Sequence, residues 1–295
     1  MKVLVTGASG FIGGQCCKQL STLGYEVHAV SSKPRTDKSI QWHEVDLLDS
    51  QQAIKLIRSL QPTHFLHFAW YAEPGKFWSS IENYHWVSAS LVMFKEFIES
   101  GGRRFVGAGT CAEYDWGFEI YKEDTTPLVP STLYGTCKNS LQSMLSSYAL
   151  LQGLSFGWGR IFSIYGPNEH PSRLVASAIQ ALLRGNKVEC RNGDLIRDYL
   201  HVSDVASAFI ALLESDITGS VNIGSGIGIK LKNIVERIEN EFHKNNHLKF
   251  SNEFAKSYEP PIIIADTQII RSTGWSPNYE IGPGLEDTIK WYREN

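Results

Sequence analysis

The sequence predicts an α/β fold: a doubly wound parallel sheet with a smaller C-terminal α/β unit. Three observations carry that reading. Residues 2–6 are a short β-branched apolar run that enters a glycine loop and then a helical pattern, the order of a buried strand feeding a helix. Short apolar runs then alternate with amphipathic helices as far as residue 165, as in consecutive βαβ units. After Tyr165-Gly166-Pro167 the alternation loses its regularity, which marks the change to a second unit.

The elements follow in order. Gly7-Ala-Ser9-Gly10-Phe11-Ile12-Gly13 is G-x-x-G-x-x-G at a strand-to-helix turn. The first glycine permits the turn, the second lets backbone approach a pyrophosphate, and the third lets the helix pack on the strand. The helix N-terminus then faces the phosphates, with Ser9, Phe11 and Ile12 in the same turn. Residues 26–30 form the second strand, and Ser31-Ser32-Lys33-Pro-Arg35 follows it. An acid at that strand end would grip a ribose diol and repel a 2′-phosphate. Two hydroxyls and two cations suit a 2′-phosphate, so NADP(H) is favoured and NAD is the alternative. The strand over 43–47 ends in Asp46-Leu47, with Asp46 placed to meet an adenine amino group. Helix 51–60, strand 63–68 ending in His67-Phe68-Ala69-Trp70, helix 81–100 and strand 103–108 come next. Phe68 and Ala69 lie where a cofactor would pass, and bulky Trp70 turns toward substrate or a loop. Residues 113–133 form a punctuated loop. Helix 134–152, strand 154–162, helix 172–184, a short strand at 187–190, and helices 230–243 and 285–293 complete the chain.

Composition bounds the function. At 295 residues with 42% hydrophobic and 20% charged content, the chain can bury a large core. The net charge of -3 and dispersed basic residues give no reason to expect nucleic acid or an anionic membrane as partner. No run of about 18 apolar residues is present. The opening MKVLVTGASG reads as a strand rather than a leader. Cys16, Cys17, Cys111, Cys137 and Cys190 lack C-x-x-C spacing and read as reduced thiols of a cytoplasmic protein. No metal-ligand spacing is found.

The chemistry centres on residues 110–138. Tyr134 and Lys138 share a helix face, and among 12 tyrosines only Tyr134 has a lysine four residues on. A lysine ammonium beside a phenol is expected to lower the phenol's pKa, which suits proton transfer to or from an alcohol or carbonyl oxygen. Thr110, at a strand's carboxyl end where open α/β sheets hold their active sites, can hold the same oxygen by hydrogen bond.

With these residues in view, the chain resembles the extended short-chain dehydrogenase/reductase family, in its nucleotide-sugar epimerase/dehydratase/reductase branch. The resemblance rests on the glycine loop, Asp46-Leu47, His67-Phe-Ala69, Thr110 four residues before Tyr114, and Tyr134-x-x-x-Lys138. It continues with Tyr165-Gly-Pro167, the stretch from Arg197-Asp to Ser-Asp204, Asn222-Ile-Gly224 and Gly274-Trp275. It implies a Rossmann-type sheet over 1–165, with residues near 198–224 returning to it and 166–295 mainly binding substrate. It implies Thr110, Tyr134 and Lys138 as catalytic trio, with Lys138 also gripping the nicotinamide ribose. It further implies a homodimer through helices 81–100 and 134–152, whose apolar Val87, Leu91, Phe94, Leu141, Leu145 and Tyr148 are the expected interface. Dehydratases of this branch follow the Thr with Asp-Glu; here Cys111-Ala112 stands instead. Reductases that also epimerise carry a Cys two places after the hydroxyl residue; Cys111 is one place early. No Arg precedes Ala265-Asp266, which leaves Arg173, Arg191 and Arg197 for the substrate phosphates, with Trp70 and Cys111 on the sugar side. The reading is an NADPH-dependent reductase of a nucleotide-linked 4-keto-6-deoxyhexose. An NAD-retaining C4 epimerase is the second reading and a non-catalytic dinucleotide sensor the third.

Overall fold

The computed structural model describes residues 1–36, 39–244, 246–251 and 260–295. In chain order the first elements are β1 (Lys2–Thr6), α1 (Phe11–Thr22), β2 (Glu26–Ser31), β3 (Gln41–Glu44), α2 (Ser50–Leu60), β4 (His64–His67) and α3 (Glu82–Glu99). Then come β5 (Arg104–Thr110), a 3-10 turn (Cys111–Glu113), β6 (Ile120–Tyr121), α4 (Leu133–Gln152), β7 (Ser155–Ile161) and β8 (Ser163–Tyr165). The rest is α5 (Leu174–Leu183), β9 (Val188–Arg191), β10 (Ile196–His201), α6 (Val202–Glu214), β11 (Gly219–Ile223), β12 (Gly228–Lys230), α7 (Leu231–Glu241), β13 (Leu248–Ser251), β14 (Ile262–Ala265), α8 (Gln268–Arg271) and α9 (Ile281–Glu294).

The central sheet has seven strands in the order β11-β7-β5-β4-β1-β2-β3, and every pairing in it is parallel. The chain winds outward from β1 in both directions, so the strand order reverses between β1 and β4. A crevice forms at that switch point, outside the strands' carboxyl ends. One face is covered by α1 and α6, whose Cys16, Leu20, Val205 and Phe209 join a buried apolar layer. The other face packs α2, α3 and α4 over Phe65, Phe105 and Phe156. Strands buried on both faces read as near-continuous apolar runs, which is why the alternation was legible in sequence.

Helices α3 and α4 also correct an expectation. Phe94, Leu141 and Leu145 are buried against their own sheet, and Val87, Leu91 and Tyr148 pack partly on the same core. Phe94, Leu141 and Leu145 therefore serve the fold of one subunit, while Val87, Leu91 and Tyr148 keep part of their surface exposed. The apolar side chains that these helices leave exposed are Tyr84, Met144, Leu150 and Leu151.

The second unit is built on a five-stranded sheet, β12-β10-β14-β6 with β8 pairing β10, and a small β9-β13 ribbon. Its helices α5, α7 and α9 enclose Val175, Ile179, Ile234, Ile238 and Leu285. The strand β6 lies in what the sequence predicts as loop; only its pairing with β14, far along the chain, makes it a strand. Two aspartates of the Arg197-to-Asp204 stretch join the units. Asp198 accepts from the backbone of Ser225, Gly226 and Ala265 at 2.7, 2.9 and 3.1 Å. Asp204 accepts from the backbone of Asn278 and Tyr279, each at 2.9 Å. Among the described residues no helix is long and apolar enough to cross a membrane.

Candidate active site

A cleft of about 930 Å³ runs across the carboxyl ends of the central sheet. Its floor on one side is the glycine loop. Gly7 has φ +64°, and a Cβ there would lie 2.8 Å from Ala69 N. A Cβ at Gly13 would lie 2.3 Å from Gly7 O, so only glycine lets α1 seat on the loop. No side chain caps the start of α1, and its first N–H groups face the cleft as donors. Behind the loop, the His67 ring bonds Thr6 Oγ1 at 2.7 Å and Ser90 Oγ at 2.8 Å. Burial, with the Lys138 charge, holds His67 neutral, its pKa down to about 3.

Ser9, Gly10, Phe11 and Ile12 line this floor, with Ser31, Ser32, Asp46 and Leu47 at one end and Phe68, Ala69 and Trp70 toward the middle. Asp46 Oδ1 accepts from Leu48 N at 3.0 Å, so one carboxylate oxygen already shapes the loop. Ser31 Oγ accepts from Lys33 N at 3.2 Å. Lys33 and Arg35 themselves are exposed and stand outside the cleft lining. The uncapped helix start and the glycine-only approach fit the pyrophosphate of a dinucleotide, a donor-rich cradle with no room for side chains.

Thr110 ends β5, and its Oγ1 accepts from Ala112 N at 3.2 Å to open the 3-10 turn. Thr132 caps α4, accepting from Gly135 N at 3.1 Å. A Cβ at Gly135 would lie 2.2 Å from Ala112 O. That glycine therefore lets α4 press against the turn and brings Tyr134 to Thr110. The Tyr134 ring stands edge-on to Phe77 and Trp78, with centroids at 4.9 and 5.8 Å, and its N–H donates to Trp78 O at 3.1 Å. One turn on, Lys138 is buried. Its Nζ donates to Ala108 O at 2.8 Å and lies 3.7 Å from the centroid of the Trp70 ring, within cation–π range. Trp70 is held by Asn83, which accepts from its Nε1 at 2.9 Å.

The expected fall in the Tyr134 pKa is not what the geometry produces. Burial pushes the phenol well above its ordinary value, opposed by the Thr110 hydroxyl and reinforced by the Glu113 charge. Burial likewise brings Lys138 down to about 7, opposed by Glu113. Both groups lose water, and the lysine gives one hydrogen bond to Ala108 O and lies against the Trp70 face. Tyr134 is thus held as a protonated acid.

Directly behind Thr110 stands a residue that sequence reasoning passed over. Glu113 is fully buried and accepts from Thr110 N at 2.9 Å, Trp158 Nε1 at 3.0 Å and Arg160 Nε at 2.7 Å. The signal was present as Thr110-x-x-Glu113, the spacing of a capping box, but it lay in a stretch read as loop.

The substrate-side residues divide. Arg173, Arg197, Cys111 and Trp70 line the cleft, joined by Glu169 and Tyr199. The Arg173 guanidinium lies 5.8 Å from the Phe77 ring centroid. Arg197 donates to the backbone oxygen of Ile196 at 2.9 Å. Burial raises the Cys111 thiol to about 12 and the Glu169 carboxyl to about 8. Arg191 is elsewhere: exposed on β9, 4.0 Å from Glu189, in a separate surface cleft with Lys249 and Ser251. Alternation along β9 sends Arg191 outward while Cys190 faces the core. Among the described residues no group of three metal-ligating side chains is assembled.

A parallel sheet with this strand order, a glycine cradle and a Thr–Tyr–Lys set in one crevice define an extended short-chain dehydrogenase/reductase. The chain belongs to the NAD dependent epimerase/dehydratase family, whose family model matches residues 3–224. It is 24% identical to a UDP-glucose 4-epimerase of Rhizobium meliloti, over 98% of this chain and 96% of the relative. It is 25% identical to a dTDP-4-dehydro-6-deoxyglucose reductase of Escherichia coli, over 99% of this chain and 97% of that one. Among solved structures, the UDP-glucose 4-epimerase of Thermus thermophilus in complex with NAD superposes with a TM-score of 0.87 at 25% identity, covering 99% of each chain.

Proposed function

We propose that this protein is an NADPH-dependent reductase of a nucleotide-linked 4-keto-6-deoxyhexose, with residues 1–165 and about 198–224 holding the dinucleotide and 166–295 mainly the sugar nucleotide. The observation that carries the reading is the make-up of the cleft around Thr110. Tyr134 is held protonated there, as a carbonyl reduction requires, while the two positions after Thr110 are Cys111 and Ala112. Neither of those two positions offers a carboxylate to remove water from a hexose, and a thiol raised to about 12 is a poor acid or base for inverting a neighbouring carbon.

The glycine loop and the start of α1 hold the pyrophosphate, Asp46 meets the adenine, and Ser31, Ser32, Lys33 and Arg35 receive the 2′-phosphate. When bound, the dinucleotide supplies the hydride. Thr110 Oγ donates to the ketone oxygen and fixes its position. Tyr134 Oη gives its proton to that oxygen as the new C–H bond forms, leaving an alcohol and a phenolate that solvent reprotonates. Lys138 orients the nicotinamide ribose and stabilises that phenolate. Trp70 screens Lys138 from water, and Arg173 and Arg197 balance the sugar diphosphate. The protein acts in the cytoplasm as a homodimer through α3 and α4, with Tyr84, Met144 and Leu151 on the joined faces.

The test is loss of NADPH absorbance on adding a nucleotide-linked 4-keto-6-deoxyhexose. Tighter binding of NADPH than NADH is expected, and Lys33→Ala with Arg35→Ala should narrow that gap roughly tenfold, the worth of one charged hydrogen bond. A native preference for NADH overturns the cofactor assignment. The second reading, a C4 epimerase that retains NAD, is favoured by the relatives that carry that name. It wins if the purified protein carries bound NAD and isomerises a nucleotide hexose with none added.

A further inference from the structure

The Glu113–Arg160 ion pair is the most buried in the described residues, with side-chain exposures of 0% and 1%, and the reaction just outlined makes no use of it. A buried pair of this kind repays little in stability, because desolvating both charges offsets their attraction and apolar side chains of the same size serve about as well. What the pair holds is therefore informative.

The carboxylate takes three donors from two strands. Thr110 N comes from β5, and Trp158 Nε1 and Arg160 Nε from β7. Arg160 donates onward to Tyr114 Oη at 3.1 Å, and that hydroxyl donates to Asn222 Oδ1 on β11 at 2.7 Å. Asn222 Nδ2 then donates to Tyr121 O on β6 at 2.8 Å and to Asp266 O at 3.2 Å. The chain of bonds thus runs from the residue that carries the Thr110 hydroxyl into the second unit. Space is kept for it: a Cβ on Gly109 would fall 2.2 Å from Trp158 Nε1 and 2.6 Å from Glu113 Oε1.

We propose that Glu113 is a positioning residue for the reaction: clamped by Arg160 and Trp158, it fixes the Thr110 backbone so that the Thr110 hydroxyl meets the oxygen that Tyr134 protonates. The assignment rests on the ketone reduction proposed above. A reacting group displaced by about 1 Å loses up to about 10²-fold in rate. An amide at position 113 cannot accept from all three donors, since one of its two heads is itself a donor.

The experiment is a double-mutant cycle in steady-state kinetics on the full chain with NADPH and the keto sugar. Glu113→Gln should lower kcat by about 10–100-fold with KM for both substrates within about threefold, the mark of a lost transition-state contact. Placed on Thr110→Ala, the same change should lower kcat by less than about threefold, because residues that act as a unit are not additive. A purely structural Glu113 would give the same fractional loss in both backgrounds, or a lower melting temperature with kcat per folded molecule intact; either result overturns the proposal. Should Glu113→Gln not fold, Arg160→Lys, which keeps charge and loses the fork on Glu113 and Tyr114, runs through the same cycle with the same criteria. Wild-type turnover is measured first. If it is absent on the keto sugar, the reductase reading falls, and the cycle is run on isomerisation of a nucleotide hexose, where Thr110 and Tyr134 face the same oxygen.

Discussion

The two ends of the cleft are built on different principles. The dinucleotide end is made of backbone: seven consecutive residues, 7–13, turn a strand into a helix, and glycines at Gly7 and Gly13 leave room for nothing but main chain. The catalytic end is made of side chains from β5, α4 and the segment after β4, which meet only when the sheet is assembled. The first is a local conformational requirement. The second is a convergence of distant groups whose properties are set by burial. Each end is therefore fragile in its own way: the cradle to any added atom, the catalytic end to changes of charge and proton affinity that add no atoms.

The largest expected effect lies at the catalytic end. Tyr134→Phe removes one hydroxyl and should lower kcat by about 10²–10⁴-fold, the usual worth of general acid catalysis, while NADPH affinity by fluorescence titration stays near wild type. A variant that reduces the keto sugar at the wild-type rate would transfer the acid role to a water or to Cys111. Since burial raises the Tyr134 phenol above its ordinary value of 10.0, the reductive rate should not fall from loss of its proton until the pH passes that value.

The cradle should break by volume. Gly13→Ala places a methyl 2.3 Å from Gly7 O, backbone that has nowhere to go. Overpacking of this sort costs about 1–3 kcal/mol. Thermal melting should drop accordingly, and dinucleotide affinity should fall in the same variant while the Thr110–Tyr134 pair is untouched. Wild-type affinity in Gly13→Ala would mean that the loop adapts and is not a rigid cradle.

Lys138 carries the burial of the catalytic end into stability. Burial brings it to about 7 in the folded chain against an ordinary 10.5. Between those values the unfolded chain holds a proton that the folded chain does not, so this residue's contribution to stability rises with pH across that window. Below about 7 both states are charged and the folded protein bears the full desolvation of the ammonium. Lys138→Met should therefore melt several degrees above wild type at pH 6 in the absence of ligand, with the gain shrinking toward pH 10, while activity is lost. An equal gain at both pH values would show that packing alone, not charge, is responsible.

The smallest effect separates two arginines that sequence treats alike. Arg173 lines the cleft and Arg191 does not. Arg173→Ala should raise the sugar-nucleotide KM by roughly tenfold, in line with the loss of a charge-assisted contact. Arg191→Ala should leave kcat/KM within about twofold, as expected of an exposed ion pair. A matching loss in both would place the diphosphate across a wider surface.

Features that neighbouring residues settle among themselves were legible from the chain alone. The glycine spacing, the alternation of β-branched runs with amphipathic helices, Thr110 at a strand end, and Tyr134 with Lys138 on one helix face are all local periodicities. The structure keeps most of them within a residue or two, but β3 ends at Glu44, so Asp46 stands beyond the strand, and α9 begins four residues before its expected start, at Ile281. The tertiary structure decided what depends on distant partners. Strand β6 exists because β14 pairs with it across the chain. Phe94, Leu141 and Leu145 turn to their own sheet because helix faces are assigned by packing. Tyr134 is raised rather than lowered, and Lys138 sits on the Trp70 face, because proton affinity follows solvent exclusion, which no spacing encodes. Glu113 reads as a loop carboxylate until Trp158 and Arg160, more than forty positions on, close around it. The physical reason is common to all: dihedral preference and periodicity act over a few residues, whereas burial, charge and hydrogen-bond partnership are fixed only when the sheet and the second unit close on one another.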